Sequence, residues 1–210
     1  MSPANCNSIS AGAAVLAAIL LWSGSAAAQS DQAISEATLR EPWNQQLAVL
    51  RSLSGPITAA KPDLLTPLGD ALARLQGALG GYEQQVDQVI DRIIGDPQFA
   101  YIATEASQAL SEGVAEVHAR FGDLYLALGV QGRGDVRAAQ ASLDTLRKIL
   151  QDKTPFERDV LLALGSGSRQ KIVELATRWW NGEERAIAVK KLVAELRQEL
   201  EGVSEEGKSN

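Results

Sequence analysis

The longest regular pattern of apolar positions in the chain lies between residues 66 and 94. Its members follow one another at alternating steps of four and three: Leu68, Leu72, Leu75, Leu79, Tyr82, Val86, Val89 and Ile93. That spacing keeps one stripe of an α-helix turned toward a partner helix, as in a coiled coil. The pattern predicts a long central helix against which the other helices pack.

A second long apolar stripe follows between residues 97 and 129. Its members are Phe99, Ala103, Ala106, Leu110, Val114, Val117, Phe121, Leu124 and Leu128. Gly95-Asp96-Pro97 separates the two stripes, and Gly and Pro at such positions end one helix and begin the next. The two stretches therefore predict a long antiparallel helical hairpin.

Small residues form a further pattern on the first helix of this hairpin. Gly69, Ala73, Gly77 and Gly81 stand four apart, which predicts an inclined ridge with almost no side-chain bulk. Because a glycine inside a helix destabilises it by about 1 kcal/mol relative to alanine, we expect the ridge to allow close approach of the second helix. Gly80-Gly81 could instead break the helix, but the apolar stripe keeps its phase across the pair, which favours continuity.

The rest of the chain predicts shorter helices. The predicted segments are 43–53 after Pro42, 135–150, 154–165 behind a Thr154-Pro155-Phe156-Glu157 capping box, 168–182 closed by Asn181-Gly182, and 183–200. No strand pattern accompanies them. The sequence thus predicts an all-α bundle over 29–201, with a subdivision near 130–134 as an option and a disordered polar tail at 202–210.

The first 28 residues carry no charged side chain and contain an apolar run that ends in small residues. That run is too short to span a bilayer about 30 Å thick, and Ala26-Ala27-Ala28 fits the cleavage rule of a secretory signal peptide. We expect export, to a bacterial periplasm, with an uncleaved N-terminal anchor as the alternative. Because Cys6 and Met1 both lie in this segment, the mature chain would contain no sulfur.

Composition narrows the choice of partners and of chemistry. The chain carries 26 acidic and 20 basic residues, a net charge of −6, which argues against nucleic acid as a partner. His118 is the only histidine, so paired-histidine metal sites and di-iron bundles are excluded by count. We expect no catalytic residue, no cofactor and no metal site.

Two groups of residues are candidates for contact with a partner. Glu83, Asp87 and Asp91 form an acidic stripe beside the central apolar stripe, which is either a solvated face or a surface for a cation or a basic partner. Trp179 and Trp180 are adjacent and therefore lie about 100° apart on a helix. One ring can enter the core while the other stays near the surface, where exposed aromatic rings often mark an interface.

These observations favour a non-enzymatic protein that binds another protein, as an adaptor, assembly factor or chaperone. A carrier that holds an apolar small molecule between helices is the alternative, and a carboxylate-dependent cell-wall glycan hydrolase or lyase is a further one. A buried pocket of several hundred Å³ would favour the carrier. A cleft with a carboxyl of raised pKa would favour the enzyme, and an exposed apolar groove would favour the binding protein.

Overall fold

The computed structural model describes residues 35–95 and 99–206, which fold into six α-helices. The helices are α1 (Glu36–Thr58), α2 (Pro62–Gly95), α3 (Phe99–Ala127), α4 (Gly134–Gln151), α5 (Lys153–Gly165) and α6 (Arg169–Glu206). The described part contains no β-strand, so the predicted all-α bundle is confirmed. The predicted signal segment 1–28 lies outside the described residues.

Five of the helices surround one core. Helix α2 packs against α3, α3 against α4, α4 against α1, α1 against α6, and α6 against α2. This succession closes a ring, and α5 packs beside it on α3 and α6. Each of the five helices thus has two neighbours in the ring, which explains why each carries a broad apolar stripe.

The apolar stripe of α2 lies in this core as predicted. All eight members from Leu68 to Ile93 are buried, and the helix continues without a break through Gly80-Gly81. Full burial of a leucine-sized side chain contributes about 1.5–3 kcal/mol. The stripe is therefore a principal source of the stability of the bundle.

Helices α2 and α3 form the predicted antiparallel hairpin, but the small residues of α2 do not mediate it. Gly77 and Gly81 are solvent-exposed, and a Cβ atom at either position would meet no atom within 4 Å. The prediction of a tight ridge there is wrong, because steps of four residues advance about 40° beyond each full turn and carry the ridge out of the interface. The close approach lies instead at Gly113 of α3, where a Cβ would collide with Gln85.

The first two helices begin earlier than the sequence predicted, which placed the start of the first one after Pro42. Helix α1 begins behind Ser35, whose Oγ accepts a hydrogen bond from the Thr38 amide at 3.2 Å, and it runs through Pro42. Helix α2 begins at Pro62 and includes Pro67. An interior proline removes one helical hydrogen bond. On α1, the buried side chains of Leu39 and Trp43 on either side of Pro42 offset that loss.

Helix α6 is one continuous element, whereas the sequence predicted two helices separated at Asn181-Gly182. Gly182 lies in its middle and is buried, because α1 passes so close that an added Cβ would lie 2.8 Å from Leu39 Cβ. The glycine therefore serves helix packing and does not end a helix. The helix also continues to Glu206, past the predicted end at residue 200 and into the segment that was expected to be disordered.

Buried polar side chains link three helices of the ring. Gln46 of α1 is fully buried; its Nε2 donates to the Ala139 carbonyl at 2.8 Å, and its Oε1 accepts from the Tyr125 hydroxyl at 2.6 Å. Ser107 of α3 donates to the Leu150 carbonyl. These bonds fix the register of α3 and α4, since each has a single geometry in which the buried groups are paired.

Candidate functional site

An open groove lies between the first turns of α2 and the last turns of α3. Its volume is about 580 Å³, and we call it the Leu126 groove. It is lined by Thr66, Pro67, Asp70, Ala71, Arg74, Arg120, Asp123, Leu126 and Ala127. Leu126 is 64% exposed, the largest exposure among the large apolar side chains of the described residues. Leu126, with Pro67, Ala71 and Ala127, gives the groove an apolar part that is open to solvent.

Charged side chains from both helices line the rest of the groove. Arg120 donates to Glu116 through Nε at 2.7 Å and to Asp123 through Nη1 at 3.0 Å, and these partners raise the pKa of its guanidinium. Asp70 and Arg74 are exposed and have no ion-pair partner among the described residues. One side of the rim is thus fixed internally, while Asp70 and Arg74 on the other side are available to a ligand.

A second, smaller groove lies between α5 and α6 and has a volume of about 200 Å³. Leu162 lines it and is 63% exposed, nearly the same exposure as Leu126. Its rim includes Asp159, whose pKa burial raises, and Arg178, whose Nη1 lies 3.6 Å from the Asp159 carboxylate. This groove is a useful comparison, because its leucine has nearly the same exposure as Leu126, whereas its volume is about a third of that of the Leu126 groove.

The acidic stripe of α2 divides between two environments. Glu83 is half-buried and accepts a hydrogen bond from Lys190 of α6, with 2.5 Å between Oε2 and Nζ. Asp87 and Asp91 are exposed. Within the described residues no group of three or more histidine, cysteine or carboxylate side chains is arranged to hold a metal ion. That the stripe contacts a partner stays a prediction, and Asp87 and Asp91 are the members still free to do so.

Trp179 and Trp180 lie on α6, one turn before Gly182. Their side chains are outside what the structure describes. That one of them contacts a partner therefore stays a prediction.

A buried carboxyl group was missed by the sequence analysis. Glu183 of α6 is 2% exposed, and its Oε2 is buried without a hydrogen-bond partner among the described residues. Burial, and after it the negative charges of Asp87 and Glu83, raise the pKa of this carboxyl to about 7. Glu183 is not among the residues that line either groove.

The sequence contains a signal for the exposed Leu126 and for the buried Glu183. Leu126 lies between Leu124 and Leu128 of the predicted stripe and is therefore an apolar residue off the core face. Glu183 falls one turn before the buried Ala186, so it occupies a core position once α6 is read as continuous. The assumed break at Gly182 placed it in a first helical turn, where carboxylates are common.

Comparison with known proteins gives no relative from which a function could be carried over: no protein-family model, curated protein or solved structure matches this chain. Among the helices that the structure describes, none combines the length and the apolar character that crossing a bilayer requires.

Proposed function

We propose that this protein is exported and binds another protein through the Leu126 groove. The observation that carries the proposal is the exposed Leu126 in the lining of a groove that also contains charged side chains. Protein interfaces have this arrangement, with an apolar centre that becomes desolvated and a polar rim that stays wet. Export rests on the sequence of residues 1–28 alone.

The rim supports a protein partner with charges of both signs. Asp70 and Arg74 stand one turn apart on α2, exposed and without ion-pair partners in the described residues. Complementary charges on a partner would steer its approach and select against partners of the wrong charge pattern. Arg120, already held by Glu116 and Asp123, would contribute a rigid edge.

The Leu126 groove fits a small-molecule carrier or an acid–base enzyme less well than a protein-binding surface. Its volume lies within the range of small-molecule sites. Such sites, however, cover most of the ligand surface, and Leu126 lies largely in solvent. An acid–base enzyme would need a carboxyl of raised pKa beside its substrate, and Glu183 does not line the groove. A partner protein can cover an open groove with its own surface.

The test compares two leucines of equal exposure. We expect the tagged wild-type protein to recover a partner from cells of its own host, and Leu126→Glu to recover at least about tenfold less, since a buried charge in an apolar interface is costly. Leu162→Glu should recover as much as wild type. All three proteins should show the same melting temperature, because both leucines are exposed.

Equal recovery by wild type and Leu126→Glu would refute the groove as the binding site. A loss with Leu162→Glu alone would move the interface to the groove between α5 and α6. Recovery of no partner by the wild-type protein would count against the binding function itself.

A further inference from the structure

Glu183 occupies an unusual environment for a carboxyl group. It lies in the middle of the 38-residue helix α6, is 2% exposed, and its Oε2 has no hydrogen-bond partner among the described residues. An ionised carboxylate in such a place loses its hydration without a compensating bond. The protonated carboxyl group loses much less hydration free energy on burial.

The charged groups around Glu183 do not neutralise it. From α2, Glu83 and Asp87 act on it with like charge, and Tyr82 of the same helix is buried. Lys190, on α6 itself, is bonded to Glu83.

Among the described residues, no ion pair joins Glu183 to a charged side chain of α1 or of α6. On α1, Arg40 pairs with Glu36, and Glu41 accepts from Gln45 Nε2 at 3.3 Å. On α6, Glu184 is exposed, and Arg185 Nε is buried without a partner. No ion pair reaches Glu183 within the described helices.

Helices α1 and α6 pack closely next to Glu183. At Gly182 the backbone of α6 lies so close to α1 that an added Cβ would be 2.8 Å from Leu39 Cβ. Because the Glu183 residue is itself only 2% exposed, full hydration of its ionised carboxylate requires α6 to move locally away from the helices that cover it. Farther along α6, Val193, Leu196 and Leu200 are buried in the apolar core and hold the remainder of the helix in place.

We propose that the contact of α6 with α1 and α2 at Glu183 is a pH-sensitive joint, in which loss of the Glu183 proton promotes local opening of the middle of α6 while the bundle stays folded. This inference is independent of the Leu126 groove. It assigns to the buried carboxyl a regulatory role: the joint is closed at acid pH and opens more readily at neutral pH.

The direction in which pH changes the stability of the closed joint follows from proton linkage. Closed, Glu183 has a pKa of about 7; opened to water it returns toward its ordinary value of 4.5. The closed joint thus binds more protons across this interval, and its stability falls as pH rises. The stabilisation is complete below about pH 4.5 and is lost by about pH 7.

Amide hydrogen exchange of the full chain tests the joint directly. Exchange is measured at pH 5.0 and 7.5 and corrected for the intrinsic rate at each pH. We expect protection of amides 182–190 to fall by at least about tenfold in wild type between the two values, the factor that one pKa unit supplies. Glu183→Gln should abolish that fall, while Glu184→Gln, a change at the exposed neighbour, should retain it.

A second pair of variants keeps the test decisive if Glu183→Gln does not fold. Asp87→Asn removes a like charge that acts on Glu183 and should move the midpoint of the protection change to lower pH. Asp91→Asn, on the same exposed stripe but not among the charges that act on Glu183, should leave it in place. The proposal is overturned if protection does not depend on pH beyond the intrinsic rate, if Glu183→Gln behaves as wild type, if Asp87→Asn and Asp91→Asn behave alike, or if all helices lose protection together.

Discussion

Replacement by alanine is expected to change the stability in opposite directions at two glycines inside long helices. Gly77 of α2 is exposed, and a Cβ there would meet nothing within 4 Å. Gly182 of α6 is buried against α1, where a Cβ would lie 2.8 Å from Leu39 Cβ. Replacing either by alanine changes helix propensity by the same amount, so the difference between the variants reports packing alone.

The expected magnitudes follow from two opposed effects. Alanine is favoured over glycine inside a helix by about 1 kcal/mol, and Gly77→Ala should gain that amount. At Gly182 the same gain is opposed by overpacking, which costs about 1–3 kcal/mol. The Leu39 Cβ is fixed to its backbone, so no side-chain rotation can relieve the contact. Gly182→Ala should therefore lose up to about 2 kcal/mol net.

Thermal unfolding of the two variants and of wild type measures these changes in stability. For a chain of 210 residues, each kcal/mol shifts the melting temperature by about 2–4 °C. We expect Gly77→Ala to melt above wild type by about that interval and Gly182→Ala to melt below it. A Gly182→Ala protein that melts at or above wild type would refute the close approach of α1 and α6.

Three further predictions concern the core and its titration. Leu79→Ala should lower the free energy of unfolding by about 2–5 kcal/mol, because Leu79 is buried in the α2 stripe; an unchanged urea midpoint would contradict this. Tyr125→Phe should lower it by about 1–3 kcal/mol, because Gln46 Oε1 then loses its donor; removal of that hydroxyl without loss of stability would mean that the bond is not formed. The wild-type free energy of unfolding should fall relative to that of Glu183→Gln by about 1–3 kcal/mol between pH 4.5 and 7, because native Glu183 keeps its proton up to about pH 7; parallel pH profiles in urea titrations would contradict this.

The sequence predicted the long elements well because their apolar period is a property of the chain itself. Eight positions from Leu68 to Ile93 repeat at steps of three and four, and all eight are buried. Segment 135–150 was also predicted as one helix, and α4 covers it with a buried stripe of the same spacing: Val136, Ala139, Leu143, Leu146 and Leu150. Such a pattern states which face is inside without reference to any neighbour.

The features that depend on a neighbouring helix were not predictable in this way. Gly77 and Gly182 are the same residue type in helix interiors, yet only Gly182 lies at a contact, and α1 determines that. The first helix was expected to begin after Pro42, but burial of Leu39 and Trp43 overrides the local preference. The candidate site has the same limitation, since Leu126 and Arg74 come from different helices and meet only in the folded hairpin.

Photo-crosslinking tests most directly whether the Leu126 groove binds a partner. Benzoylphenylalanine is placed at position 126 in one protein and at position 162 in another, each produced in the native host and irradiated in the intact cell. We predict a covalent adduct of higher mass from position 126, formed with a different protein, and none from position 162. An adduct from position 162 only, an adduct only with a second copy of this chain, or no adduct from position 126 would contradict the proposed function.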